Sequence, residues 1–451
     1  MTRRPAARSL RALFTVTVAL LTAAGAWSCA RAAQKSGPKV LLIGVDAGEW
    51  DVLGPLLDQG RCPNFARLRD QGSCGKLRSL EPLTKSPIIW ASIATGKVPS
   101  KHGISDFLVK RRQQERAAAE AAGPPRAGAV GAEESPATSN LWRARPVWQI
   151  LSALGRTVGV VGWWTTWPAQ PLNGTLVTDY VQYGAGSWPG RNSHRTYPDS
   201  LADMVERLRR TPESVSWAEV FQFVAPFDTT KATARQEELI HDLKWIYAAD
   251  MTFYRVGIEL YKQRRPDFFT VYFRGIDEMS HRYWDIDIPG TSSSQYTDAE
   301  LQWMRTLIPN YYVFTDRLIG QFLKETGKDT DVIVCSDHGF MGGGGGVMAH
   351  KLDGIVFMMG PDVVKGGSIS GATVLDIAPS VLAIYRLPTA RDMDGRPIEG
   401  GLTSSLVKRI SRETRFETYE SARSADQSEE PLRSPVDEEV RERLRSLGYI
   451  Q

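Results

Sequence analysis

Three aspartates, three histidines and one hydroxyl stand in four short segments of this 451-residue chain, each at or just after the end of an expected strand. They are Asp46 in Gly44-Val45-Asp46, Ser86 in Lys85-Ser86-Pro87, Asp277 and His281 in Asp277-Glu278-Met279-Ser280-His281, and Asp337 and His338 in Asp337-His338-Gly339, with His350 following. Carboxylate oxygens and imidazole nitrogens are hard or borderline ligands, and this number suffices for two divalent cations with a nucleophile between them. The chemistry implied is metal-assisted transfer at phosphorus or sulfur.

Each residue has its own reason and its own bland alternative. Asp277 and His281 are four apart, so on a helical turn they face one way and can share a cation; taken alone, the pair is equally a surface acid and a satisfied histidine. Asp337 and His338 are adjacent at a strand end, where they can splay toward two neighbouring ions while Gly339 lets the backbone turn sharply. His350 follows the run Gly342 to Gly346, which is no phosphate loop because no Gly-Lys-Ser/Thr follows; it reads as a flexible loop delivering His350. Asp46 ends the first strand, where a buried unpaired carboxylate is expensive and a metal is a natural partner. Ser86 precedes Pro87 at the expected first turn of a helix. A lone serine there is ordinarily a cap, but at the positive end of the helix dipole, beside a divalent ion, its alkoxide becomes accessible near neutral pH. Thr84 is the competing nucleophile, farther from the helix start.

The elements that must position these groups follow from the apolar runs. Lys39 to Val45 is a continuous apolar strand ending at Asp46, as in a strand buried on both faces of a parallel sheet. Similar runs occupy 157–161, 268–273, 332–335 and 355–359, with helical patterns at 87–95, 299–326 and 373–385. The alternation predicts an α/β fold: a doubly wound, mostly parallel sheet flanked by helices, with ligands gathering at the carboxyl ends of the strands. Residues 111–139, rich in Ala, Gly, Pro, Glu and Arg, read as a flexible insertion. About 183–262 the strand rhythm breaks and aromatics accumulate, including Trp188, Trp217, Phe221, Phe223 and Phe227; this stretch is expected as a cap insertion that lines a leaving-group pocket or simply packs its own core. The principal domain is expected over 37–405, and 406–451 as a polar tail ending in an amphipathic helix, 436–450, that docks.

Residues 1–32 have the layout of a bacterial export signal, with Arg3, Arg4, Arg8 and Arg11 ahead of an uncharged apolar run from Ala12 to Ala26. Cleavage at Ala30-Arg31-Ala32, lipidation at Cys29 and an uncleaved anchor are the alternatives, so the protein is expected to be exported, periplasmic or membrane-anchored. That segment also explains the formal charge of +4: without its five arginines, fifty cations face fifty-one acids, a net −1. A near-neutral body gives no electrostatic reason to expect nucleic-acid binding. Cys62 and Cys74 flank one expected helix and either pair in an oxidising compartment or stay as half-buried thiols, while Cys335 lies in an apolar strand and reads as core.

Taken in order, Gly-Val-Asp, Lys-Ser-Pro with Trp90-Ala-Ser-Ile-Ala-Thr-Gly96, His102-Gly103-Ile104, Asp-x-x-x-His, Asp-His-Gly-Phe and a later His resemble the alkaline phosphatase superfamily, nearest to its type I phosphodiesterase/nucleotide pyrophosphatase branch. The resemblance covers roughly Lys39 to Gly400, including Asp376-Ile-Ala-Pro and Asp394-Gly-Arg-Pro. It implies that Asp46, Ser86, Asp337 and His338 hold one zinc and that Asp277, His281 and His350 hold the other, with Mn²⁺ or Fe²⁺ also compatible with an all-N/O set. It further implies a small-molecule phosphoester substrate cleaved at a diester or pyrophosphate bond through a Ser86 phosphoenzyme. With all coordination roles filled, His102 is left as a structural turn residue. One departure stands out: the nucleotide pyrophosphatases carry an Asn a few residues after His-Gly-Ile, where this chain has Phe107. A phenyl ring cannot donate a hydrogen bond to a phosphate oxygen, so Lys85, Arg274 or Lys351 must serve. A sulfatase does not fit, because Ser86-Pro87-Ile88-Ile89-Trp90 lacks the Ser/Cys-x-Pro-x-Arg pattern. Phosphomonoester or phosphonate hydrolysis, phospho-group transfer, and a non-catalytic metal-containing binding protein are the remaining alternatives.

Overall fold

The computed structural model describes residues 39–82, 85–110, 134–184, 193–287, 306–342, 348–410, 416–420 and 430–450. The segment expected to direct export, with Cys29, as well as Thr84, Trp188 and most of the 111–139 stretch, lie outside the described residues. Among the described residues no helix is long and apolar enough to cross a membrane.

Nine strands form one mixed sheet: β1 (Lys39–Val45), β2 (Ser73–Arg78), β5 (Val158–Val161), β6 (Gly174–Val177), β7 (Thr196–Tyr197), β8 (Phe268–Phe273), β9 (Thr330–Cys335), β12 (Asp353–Met359) and β13 (Gly367–Thr373). Their spatial order is β13-β2-β12-β9-β1-β8-β5-β6-β7. β12 runs antiparallel to both its neighbours and the edge strand β7 antiparallel to β6; the remaining seven strands share one direction. Two further antiparallel pairs complete the β structure of the described residues, β3 (Leu108–Lys110) with β4 (Glu134–Pro136), and β10 (Gly339–Gly342) with β11 (Met348–Lys351).

The central strands are buried on both faces, which is why they read as unbroken apolar runs. Along β1, Leu41, Ile43 and Val45 enter one core with the helices Trp50–Asp58, Pro63–Gln71, Ala234–Arg264 and Leu307–Glu325. Val40 and Leu42 enter the opposite core with the helices Ser86–Thr95, Val147–Ala153 and Ile377–Ile384. Helices on both faces make the sheet doubly wound, as expected. Because β9, β1 and β8 are parallel neighbours, their carboxyl ends open on one edge of the sheet side by side.

The stretch expected as a cap supplies β7 to the sheet edge and the 31-residue helix Ala234–Arg264 to the core that also holds Phe269 and Val271. Trp217 stacks on Phe221 there and Phe227 meets both rings edge-on, while the ring of Phe223 lies 5.3 Å from that of Tyr311. Cys62 and Cys74 are both free thiols, and burial pushes the Cys62 thiol up to about 12. Cys335 is fully buried in β9. The terminal helix Asp437–Ser446 docks through Val440 and Leu444 on Phe107, Trp167, Tyr180 and Tyr183.

Candidate metal centre and nucleophile

Asp46 follows β1 directly, Asp337 and His338 follow β9, and Asp277 lies in the first turn of the helix Gly275–Asp287 that follows β8. Asp46, Asp277, Asp337 and His338 are at most 2% exposed. His281 is one helical turn beyond Asp277 on the same helix. His350 arrives on β11, in register with Phe340 of β10, so a paired strand and not a flexible loop carries it. The backbone hydrogen bonds of that hairpin fix the direction of the imidazole, which a glycine-rich loop alone would not.

The donor atoms converge. One ligand atom each from Asp277, His281 and His350 lies within 4.8 Å of the others, and the same holds for Asp46, Asp277 and His338. Asp277 therefore stands between two groups, a placement that its pairing with His281 on one helix did not reveal. Nε2 of His281 and Nε2 of His350 are 2.9 Å apart, and the rings of His338 and His350 stack at 3.9 Å. Nε2 of His338 lies 3.5 Å from Asp46 Oδ1, 3.3 Å from Asp337 Oδ2 and 3.5 Å from Ser86 Oγ. Its Nδ1 is 3.0 Å from the Gly339 carbonyl, an acceptor, so the proton sits on Nδ1 and the Nε2 lone pair faces the carboxylates.

The carboxylates share one pattern. In each, one oxygen is buried without a hydrogen-bond partner among the described residues: Asp46 Oδ1, Asp277 Oδ1 and Asp337 Oδ2. The opposite oxygen is held by a donor from the fold. Asp46 Oδ2 accepts from the Tyr272 hydroxyl and, at 3.2 Å, from Trp90 Nε1. Asp337 Oδ1 accepts from the backbone N–H of Ala47 at 3.3 Å. Asp277 Oδ2 accepts from the hydroxyl of Tyr449, near the C-terminus. The room for the Asp46 arrangement comes from Gly44, which pairs with Tyr272 across the sheet; a Cβ there would lie 2.8 Å from the Trp90 ring. Ala47 adopts φ 53°, the left-handed region, just where its N–H must turn to Asp337.

Burial, and next the neighbouring Asp46, push the Asp277 and Asp337 carboxyls well above the usual range, while burial holds His281, His338 and His350 down at about 3. Three orphaned buried oxygens facing three neutral imidazoles form a cradle that lacks positive charge. Oxygen and nitrogen donors in that number fit divalent cations.

Ser86 opens the helix Ser86–Thr95, with Pro87 in the first turn and Gly96 at φ 68° closing it by an N–H bond to the Ser92 carbonyl. Its side chain caps nothing; Lys85 holds the cap position without a side-chain capping bond. The hydroxyl is thus free to face His338 at the positive end of the dipole.

Residues 40–379 match the family described as type I phosphodiesterase / nucleotide pyrophosphatase. The chain belongs to that family. Phosphodiesterases of this family are phosphoester hydrolases, and that is the chemistry the membership carries. No curated protein sequence matches the chain. Among solved structures it is similar to a 2-O GAG sulfatase (10% identity over 84% of this chain and 76% of that one, TM-score 0.49). It is also similar to human ectonucleotide pyrophosphatase/phosphodiesterase 5 (13% identity over 79% and 97%, TM-score 0.44). Phosphonoacetate hydrolase from Sinorhizobium meliloti is a third (14% identity over 68% and 57%, TM-score 0.36). At these values the likenesses add nothing to the assignment made by the family match.

Within this phosphodiesterase-family chain, the three cations considered as phosphate donors separate clearly. Lys85 Nζ is spent on Asp106, at 2.6 and 2.8 Å, and lies 6.0 Å from the Phe107 ring. Lys351 is spent on Glu49 and Asp51. Arg274 is fully buried just after β8, its Nη1 bonded to the Tyr183 hydroxyl at 3.2 Å and paired with Glu278 at 3.5 Å, while its Nε and Nη2 have no partner among the described residues. Phe107 is buried between Trp164 and Tyr449. His102 is the turn residue it was expected to be: its Nδ1 accepts from Ile104 N–H at 3.2 Å and its Nε2 meets Ser92 Oγ at 3.0 Å, with burial holding it neutral near 4.

Proposed function

We propose that this chain hydrolyses phosphodiester or pyrophosphate bonds, with Ser86 as nucleophile and two divalent cations, zinc by preference, held by Asp46, Asp337 and His338 with Ser86, and by Asp277, His281 and His350. The observation that carries the reading is the Ser86 hydroxyl, uncommitted as a cap and 3.5 Å from His338 Nε2, at the mouth of a cradle of orphaned carboxylate oxygens. Cations so placed would lower the pKa of the serine hydroxyl and offset charge on the leaving oxygen. Ser86 then attacks phosphorus in line; the P–O bond to the leaving group breaks, a phosphoseryl ester forms, and water releases phosphate product and restores the hydroxyl. The dipole of the helix Ser86–Thr95 favours the anionic group in front of its first turn. Arg274, with two nitrogens that have no partner among the described residues, is the donor that takes the place of the missing amide.

The test is turnover of bis-p-nitrophenyl phosphate against p-nitrophenyl phosphate by the zinc-loaded protein and its Ser86→Ala variant. Diester preference, with kcat reduced at least about a thousandfold in Ser86→Ala at unchanged metal content, is expected. Undiminished turnover by the variant removes Ser86 from the reaction, and a preference for the monoester moves the chain to the phosphatases.

A further inference from the structure

The three ligand carboxylates are each steadied from behind, but not by comparable parts of the molecule. Asp46 is held by Tyr272 and Trp90, both in the core, and Asp337 by the backbone of Ala47. Asp277 is held by Tyr449, 172 residues away along the chain, in a segment that follows the whole catalytic sheet. We infer that Tyr449 is a positioning residue for the metal centre, and that the docked C-terminal segment completes the cation site of Asp277, His281 and His350. The inference rests on the two-cation reading above and adds to it a requirement for the tail.

The local structure places this tyrosine deliberately. The helix Asp437–Ser446 ends with the Gly448 N–H bonded to the Arg445 carbonyl and the Tyr449 N–H bonded to the Leu444 carbonyl, at 2.9 Å each. That is a Schellman ending, and Gly448 supplies its left-handed residue at φ 79°. The turn directs Tyr449 back over the helix toward the site, where its ring lies 4.6 Å from that of His281 and 5.0 Å from that of Phe107.

The helix is gripped beside the same ligand. Arg443, buried, bonds Glu278 at 3.3 Å and Asp242 at 3.2 Å, and its guanidinium lies 4.0 Å from the Trp245 ring centre. Glu278 is the chain neighbour of Asp277, so the tail clamps both the ligand and the residue after it. Glu439 accepts from the Gly184 N–H at 2.8 Å, and Val440 and Leu444 fill the apolar seat of Phe107, Tyr180 and Tyr183.

With Oδ2 occupied by the phenol, Asp277 turns Oδ1 toward the two histidines, 3.6 Å from Nε2 of each. Hydrogen-bonded partners behind metal ligands typically govern affinity by about 10–100-fold. Tyr449→Phe keeps the ring and its packing and removes only the hydroxyl.

The experiment strips the full-length protein of metal and titrates Zn²⁺ against a chromophoric chelator, for wild type, Tyr449→Phe and a chain ending after Ser446. Wild type is expected to bind two zinc ions. Both variants are expected to bind one of the two about 10–100-fold more weakly and the other unchanged, with the metal-free melting temperature of Tyr449→Phe below that of wild type by no more than about 1–3 °C. Two zinc ions in wild type with identical affinities in Tyr449→Phe overturn the role of the tyrosine alone. Fewer than two in wild type overturn the two-cation reading and this inference with it.

Discussion

Removing the cations from the protein is expected to cost several kcal/mol of stability, and the amount follows from the carboxylates. Asp46 Oδ1, Asp277 Oδ1 and Asp337 Oδ2 are buried and without partners among the described residues. An unsatisfied buried acceptor costs about 1–3 kcal/mol, so the three together amount to about 3–9 kcal/mol. Mass action sets a comparable scale: a cation at a thousand times its Kd stabilises the folded state by about 4 kcal/mol per site, hence about 8 for two. Unfolding entropy of about 2.1 cal/mol/K per residue over the compact unit Pro38–Gln451 is roughly 0.9 kcal/mol/K, so 4–8 kcal/mol corresponds to a fall of about 5–9 °C in Tm. The assay is calorimetric melting at one scan rate before and after dialysis against a chelator, with metal content measured in each sample, followed by return of Zn²⁺ or Mn²⁺. A change under about 2 °C on complete metal removal would refute the reasoning, because the orphaned oxygens would then need no cation to sit where they do.

Two other perturbations test the supports of the fold and the site. Gly44→Ala places a Cβ 2.8 Å from the Trp90 ring and 3.1 Å from Tyr272, the two side chains that hold Asp46 Oδ2. A cost of about 1–3 kcal/mol is expected in urea unfolding, together with weaker zinc binding; unchanged zinc affinity would show that those rings do not position Asp46. At the opposite end of β9, Asp331 accepts from the Asp362 N–H at 2.9 Å while its Oδ2 has no partner among the described residues, and burial lifts its carboxyl from 3.8 to about 7. Between those values the folded state holds a proton that the unfolded chain has lost, so this group makes stability fall as pH rises from about 4 to about 7, by at most about 4 kcal/mol. Asp331→Asn should flatten that fall in unfolding curves at pH 5 and pH 8, and an identical fall in the variant would exclude Asp331 as its source.

The parts legible in the chain are those whose physics is local. β1, β8 and β9 are buried on both faces, so each is an unbroken apolar run, and the polar residue that ends the run marks the edge where ligands gather. Asp46, Asp277, Asp337 and His338 could be placed on that edge for this reason. Ser86 was legible because Pro87 marks a first helical turn. What escaped depends on pairing between distant segments. The strand that carries His350 follows a run of glycines in the sequence, and composition alone made that stretch read as a loose loop, whereas His350 is paired with Phe340. The reversed direction of β12 leaves no mark in a run as apolar as its neighbours. Tyr272 looked like one more aromatic in a buried strand; its role appears only when Gly44 is set opposite it. For Tyr449 the one signal was a glycine just beyond an amphipathic helix, which announces a turn and not a destination.

The supports behind the ligands also divide the centre into two unequal halves. Asp46, Asp337 and His338 are held by the core itself: by Tyr272 of β8, by Trp90 of the helix that Ser86 begins, and by the backbone turn after β1. Loosening any of these means disturbing the sheet, so this half should persist as long as the fold does. Asp277, His281 and His350 depend on elements at the rim. His350 sits on a short hairpin, the outer oxygen of Asp277 is held by the tail, and His281 is packed by Phe340 of that hairpin and by Tyr449. Hairpins and terminal helices open at a lower free-energy cost than central strands. The nucleophile proposed above belongs with the half that cannot loosen, since attack requires a fixed position, and Ser86 Oγ lies 3.5 Å from His338 in that half. In the proposed reaction the half at the rim would carry the task that tolerates motion, admitting the substrate and releasing the leaving group, without disturbing the geometry of attack.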